Sequence, residues 1–454
     1  MKSNDLKKTD SKIESKNELN AYSLAGIGIG EIIGSGFFLG SALAIKQAGP
    51  SVVLAFIFGG FIMSQVLGAM TSISINRPVI GSFRVYTEEF MGKFTGYLLG
   101  WIIYVSGILG TASEAIASAV FLKYWIPGLS IAILSLMSIL LVIFINMLQM
   151  KYFGYIESGI AAIKIIVMAA FIVIGLIFIW SHGISVKPDP FSSFHNFFPN
   201  NISGFLQSML IVVFTYSGIS TIAMATSDTK NPSKSIPKAT MLVTFGIIAL
   251  YALTMLVVVL TVDFKFININ SSPLIQSLNN MNIKWASAVI NAVILFATFS
   301  VMIGGYYSCN QMLISLSMAK EAPSVFNKKT KRDFYKNAWL LTGVASILIV
   351  MLSFLLSSKL FNYLVSASSY FSFFNWIINL IVYIIWKKNR GSEEKYNSPL
   401  ILGKSGAYCT IIIIFILFIM SLKVYDFRIG FYAAALITFL IALSYKLYIR
   451  IKDI

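Results

Sequence analysis

The chain has 454 residues, 57% of them hydrophobic and 12% charged, with a mean hydropathy of +0.80 and a formal net charge of +17. This balance excludes a soluble globular domain and implies an all-α polytopic membrane protein with no large soluble part. The basic excess must be placed on the loops before it speaks for or against nucleic acid. Residues 1–20 are polar and lysine-rich and lack an apolar region followed by a small-residue cleavage site, so a cytoplasmic tail is expected rather than a signal peptide. Twelve apolar runs follow, centred near Ile33, Met63, Leu109, Ile139, Met168, Phe214, Leu250, Val301, Ile349, Trp376, Phe415 and Leu436, and are read as membrane-spanning helices. With the N-terminus placed in the cytoplasm, 26 of the 35 Lys and Arg fall on that side and 8 on the other. The positive-inside rule then puts both termini of a multi-pass cell-membrane protein in the cytoplasm. The charge is topological, and no nucleic-acid partner is expected.

The first run carries the stretch Gly26–Gly40, GIGIGEIIGSGFFLG. Gly34-Ser35-Gly36 sits in its middle, and a broken backbone inside lipid must find internal partners or line a cavity. Two half-helices are therefore expected, the second starting near Gly36 with the amides of Gly36, Phe37 and Phe38 unpaired. Such a helix N-terminus is a receptor for a carboxylate. The competing reading is a glycine seam for close helix packing.

The loop after run two, Arg77-Pro78-Val79-Ile80-Gly81-Ser82-Phe83 with Arg84 and Tyr86, reads as a connecting turn near the inner membrane face. Run three holds Thr111, Ser113 and Glu114. A carboxylate deep in a span costs around 2.5–3.5 kcal/mol on insertion scales, so Glu114 is expected to face a cavity or a partner. Run five, preceded by Lys151 and Tyr152-Phe153-Gly154, holds Glu157 and Lys164. A buried lysine near a carboxylate suits proton exchange, the alternative being a side chain that snorkels to the interface.

Run six repeats the theme with Phe214-Thr215-Tyr216-Ser217-Gly218-Ile219-Ser220, then Asp228 and Lys230-Asn231-Pro232. Interrupted helices in the first and sixth places are the sequence pointer to a transporter built from inverted repeats. Ser271–Asn282, with Pro273, reads as a short external helix or lid. Run eight is polar on one side, with Ser300, Ser308, Asn310, Gln311, Ser315 and Ser317, though for any single serine ordinary packing is the simpler account. Cys309 and Cys409 offer no disulfide framework and no metal-ligand spacing, and no cofactor is expected.

Taken in order, these motifs resemble an amino acid permease of the amino acid–polyamine–organocation superfamily over roughly Tyr22–Ser324. The resemblance rests on Gly34-Ser35-Gly36-Phe37-Phe38 with Ala48-Gly49-Pro50; on Pro78, Gly81-Ser82-Phe83 and Gly100-Trp101; on Glu114; on Phe153-Gly154, Glu157 and Lys164; and on Asp228-Thr229-Lys230-Asn231-Pro232 with Ile236-Pro237-Lys238. It implies the LeuT-like fold: twelve transmembrane helices, a 5+5 inverted repeat with discontinuous helices 1 and 6, and two extra C-terminal helices. The expected organisation is a tail over 1–20, a ten-helix core over 21–386 (repeats about 21–181 and 202–386), a cytoplasmic loop over 387–403, and helices 11 and 12 over 404–454. Ser220, Gln311 and Glu31 depart from the residues usual in relatives, which touches side-chain preference and proton source.

The resemblance implies a secondary transporter for an amino acid, with protons and the lipid bilayer as its other partners. The substrate carboxylate would meet Gly34, Ser35, Gly36 and Phe37. Its ammonium would meet carbonyls near Ile32 and of Phe214, Thr215, Tyr216 and Ser217. Tyr216 would close over the substrate from outside, while Thr111, Glu114, Gly218 and Ser220 would surround the rest. Lys164 would stand where other transporters hold sodium and, paired with Glu31, would couple the proton. An exchanger, a non-transporting sensor and a channel stay open as alternatives. The particular amino acid and the oligomeric state are not legible.

Overall fold

A computed structural model describes residues 20–78, 83–148, 153–220, 222, 229, 231–331, 334–356 and 359–452. The expectations at 1–19, Val79, Ile80, Gly81, Ser82, Lys151, Tyr152, Asp228 and Lys230 lie outside the described residues. The described chain is almost entirely helical. Helix α1 (Ala21–Ile32) leads through a break to a π-helical turn (Gly36–Gly40) and α2 (Ser41–Ala48). There follow α3 (Val52–Asn76), α4 (Phe83–Met91), α5 (Lys93–Leu122), α6 (Ile131–Met147) and α7 (Phe153–His182). The second half comprises α8 (Asn201–Thr215), α9 (Pro232–Thr261), α10 (Pro273–Asn280), α11 (Lys284–Met318) and α12 (Lys336–Met351). It ends with α13 (Leu360–Asn389), α14 (Gly403–Ser421) and α15 (Tyr425–Lys452).

Among the described residues, ten stretches are long and apolar enough to cross a membrane, one of them the continuous Gly36–Asn76. Each expected run centre lies on a helix, apart from Ile33, which sits at the break after α1. Local chemistry sets several ends. The Asn20 side chain caps α1 by accepting from the Tyr22 and Ser23 amides at 3.0 and 2.9 Å. Gly49, at φ +64°, turns the chain between α2 and α3 in a conformation L side chains avoid. Pro232 opens α9 at a position that needs no amide donor.

Two expectations about loops resolve differently. The segment after α3 reads as a connecting turn, but while Arg77 and Pro78 are non-helical, Phe83–Met91 form the nine-residue helix α4. Burial of Arg84 and Phe83 against the bundle, rather than local propensity, holds it there. Ser271–Asn282 does contain a short helix, α10, whose apolar side is buried.

The central layer is α5 packed along α11, with α13 on the other side of α5. Helices α1, α3, α8 and α9 gather against one another beside it. Helices α14 and α15 sit at the edge against α13, with rows of exposed apolar residues such as Ile412, Phe415, Ile419, Leu436 and Phe439. Apolar side chains in that position suit contact with lipid tails.

Candidate functional site

Among the described residues, the chain leaves helical geometry after Ile32 and again after Thr215, and these two places meet. At the first, Ile33 leaves the helix with φ −83° and ψ 92°, and the chain resumes as the π-helical turn. At the second, α8 ends at Thr215 and one tight turn follows over Ser217–Ile219. Gly218 lies so close to the first break that a Cβ on it would stand 2.6 Å from the Glu31 carbonyl oxygen. The sequence reading located both interruptions and their convergence.

The donors at the first break differ from expectation. The amides of Phe37 and Phe38 are turned back onto the Gly34 carbonyl, each at 3.2 Å. The carbonyl oxygen has two lone pairs and accepts both, one bond spanning three residues and the other four. The donor that looks outside the backbone is instead the buried Ser35 N–H, which donates to both oxygens of Glu114 at 3.0 and 3.1 Å. A Cβ on Gly34 would lie 2.7 Å from Glu114 Oε1, so this approach requires glycine. Glu114 is 5% exposed, which fits the expectation that it faces a cavity or a partner: it does both. The Ser35 hydroxyl is buried at the same point.

A cavity of about 230 Å³ opens beside the breaks. Of the expected site residues, Glu31, Thr111, Glu114, Phe214, Ser217, Gly218 and Ser220 line it. Ile32, Gly34, Ser35, Gly36, Phe37, Thr215 and Tyr216 do not, because they form the packed wall behind the break. The Ile32 carbonyl, expected to await an ammonium, accepts the Tyr251 hydroxyl at 3.1 Å, and the same hydroxyl reaches the Thr215 carbonyl at 3.4 Å. Tyr216 donates to the Phe56 carbonyl at 2.8 Å.

Phe37, Phe56, Tyr216 and Tyr251 form an aromatic plug, with the Phe37 and Tyr251 rings stacked at 3.9 Å. The plug lies near the Val52 end of α3, while Met70, which lines the cavity, lies fourteen residues further on, roughly 20 Å along the helix. The cavity thus runs from the breaks towards α4, reaching Phe83, Met312 and Asn375, and is closed on the other side.

Lys164, 1% exposed, does not snorkel. Its ammonium donates to the Gly30 carbonyl at 2.7 Å and the Ser300 hydroxyl at 3.2 Å. It therefore satisfies a carbonyl near the end of α1, one residue from Glu31, and ties α1 to α7 and α11. The sequence reading missed Tyr251, the α5 residues Ser106, Gly107 and Gly110, and Gly305. Nothing local distinguishes Tyr251 from a core tyrosine. The glycines carry a faint signal in their position on the same helical faces as Thr111, Glu114 and Ser308.

A family model described as amino acid permease matches residues 24–453. The chain belongs to this family. An uncharacterized amino acid permease of Bacillus subtilis, YvbW, is 30% identical over 388 residues, covering 84% of this chain and 86% of the relative. The gamma-aminobutyric acid permease of the same organism is 29% identical over 385 residues, covering 84% and 81%. The D-serine/D-alanine/glycine transporter of Escherichia coli is 28% identical over 406 residues, covering 87% and 86%. Among solved structures, the Eremococcus coleocola manganese transporter superposes with a TM-score of 0.64 at 13% identity, covering 97% of this chain and 99% of that one. That likeness concerns the fold alone. As a member of the permease family, the protein is a multi-span transporter rather than an enzyme.

Proposed function

We propose that this permease carries an amino acid into the cell as a secondary active transporter, by proton symport with alternating access. It does so on a LeuT-like scaffold of twelve spans in two inverted five-helix repeats, about 21–181 and 202–386, with both termini cytoplasmic. The observation that carries the reading is the meeting of two helix breaks at the wall of a cavity that also holds a buried carboxylate. Interrupted helices converging on one compact site are what a carrier needs, and a continuous pore does not need them.

The substrate carboxylate binds at the Ser35 amide and hydroxyl between Gly34 and Gly36, with Phe37 behind. The ammonium meets carbonyls of the two breaks, at Ile32 and Phe214–Ser217, after Tyr251 yields its place. The side chain points towards Thr111, Ser220 and the α5 glycines. A cavity of about 230 Å³, lined by apolar side chains together with glycines and hydroxyls, favours a small substrate, in keeping with the names of the gamma-aminobutyric acid and D-serine/D-alanine/glycine relatives. Arg77, Arg84, Lys387 and Arg390 gather at the end towards which the cavity runs, so by the positive-inside rule the site here faces the cytoplasm. Lys164 supplies the positive charge beneath α1 and, with Glu31, forms the proton-sensitive pair. Loss of one proton weakens their attraction and frees the inner half-helix to swing.

Uptake of labelled amino acids into proteoliposomes, with and without an inward proton gradient, tests this. Accumulation driven by the gradient is the expected result. Uptake only after preloading with amino acid would replace symport by exchange. Binding without uptake would make the protein a sensor.

A further inference from the structure

Glu114 occupies the place assigned above to the carboxylate of the substrate. Its two oxygens share the Ser35 N–H at 3.0 and 3.1 Å, and this is the donor that an amino acid carboxylate needs at the first break. We propose that the Glu114 side chain is an internal occupant of a carboxylate receptor, and that an incoming amino acid displaces it with its own carboxylate. The identity of the visitor rests on the transport reading; the receptor is a property of the break.

Three features support exchange over a fixed structural bond. One N–H cannot serve two carboxylates, and like charges brought together within a few ångströms disfavour each other, so occupancy is mutually exclusive. Next, the displaced side chain has somewhere to go. Helical side chains lean towards the residue four positions earlier, which for Glu114 is Gly110. A Cβ on Gly110 would meet nothing within 4 Å, and both residues line the cavity. Finally, the Ser35 hydroxyl is buried at the same point and gives the receptor a second polar group beside the N–H. Of the other ionisable or polar groups around it, Lys164 is engaged with Gly30 and Ser300, Tyr251 bridges the two breaks, and Glu31 lines the cavity beyond.

Acetate serves as the probe, because it is the receptor's ligand without the rest of an amino acid. Thermal unfolding of the full-length purified protein is followed in acetate, in chloride of equal ionic strength, and in methylammonium chloride as a cation control. Acetate is expected to raise the midpoint of Glu114→Ala by about 2–4 °C over chloride, while wild type and Glu114→Gln, whose receptors stay filled, move by less than about 1 °C. Methylammonium should not separate the three proteins. If Glu114→Ala is recovered only when acetate is present throughout purification, the same conclusion follows. Glu114→Thr provides a second short side chain and should show the same selective gain.

Folded Glu114→Ala and Glu114→Thr that respond to acetate no more than to chloride would overturn the proposal. So would loss of both variants with or without acetate. Wild-type uptake is scored separately. An acetate gain with no amino acid uptake sinks the transport reading and leaves the receptor. Uptake with no acetate gain does the reverse.

Discussion

Lys164 and Glu114 were legible as single residues because charge inside a span is costly enough to require a reason. Their partners were not. Lys164 meets a backbone carbonyl and a serine, and Glu114 meets a backbone amide, so neither contact leaves a pattern in side-chain identity. Tyr251 was invisible for a related reason: its hydroxyl bridges two carbonyls while its ring stacks in a core of other aromatics. The Lys164 contacts lead to a prediction at this scale. A hydrogen bond from a charged donor is worth about 1.5–3 kcal/mol, and removing it strands the Gly30 carbonyl. Lys164→Met is expected to lower uptake on the order of ten- to a hundredfold, and Glu31→Gln to flatten its pH dependence. Unchanged uptake in the first and an unchanged pH profile in the second, measured in proteoliposomes, would remove the proton-sensitive pair.

At the scale of elements, helix positions followed from apolar run length, and both breaks followed from glycine and polar residues in the wrong place for a span. What did not follow was how each break satisfies its own backbone. The turning of the Phe37 and Phe38 amides onto the Gly34 carbonyl depends on how the next turn packs, which composition does not encode. Helix α4 was misread because its stability comes from Arg84, which reaches Glu321 beyond α11 at 2.8 Å. That pair is 237 residues apart in sequence. Two glycines test whether close contact between the breaks is required. A Cβ on Gly218 would meet Glu31 and Ile32 backbone at 2.6–3.0 Å, whereas one on Gly246 in α9 would meet nothing within 4 Å. Gly218→Ala should destabilise the protein by about 1–3 kcal/mol and abolish uptake. Gly246→Ala should stay within about 1 kcal/mol of wild type and transport normally. Thermal unfolding and uptake on the same preparations decide this, and equal behaviour of the two variants would mean that the breaks need not touch.

For the whole molecule, ion pairs that join different elements tie Arg77 and Arg84 at one end. Arg77 after α3 pairs with Glu89 of α4 and, at 2.7 Å, with Glu394 beyond α13, while Arg84 of α4 pairs with Glu88 and Glu321. The cavity runs towards this end, and the aromatic plug lies at the other. Which side of the site is open is not written in the charge bias of the sequence, because it depends on how the helices pack around the aromatic plug.

The central claim is that the transported amino acid occupies this cavity. Ser308 lines it, is exposed to it, and carries a hydroxyl that cysteine replaces conservatively. Its reaction with a small methanethiosulfonate should be followed in Ser308→Cys on a Cys409→Ser background, with that background alone as the blank. The account predicts that a transported amino acid slows labelling in proportion to its occupancy, while an amino acid that is not transported has no effect. Labelling that proceeds at the same rate under saturating substrate would contradict it.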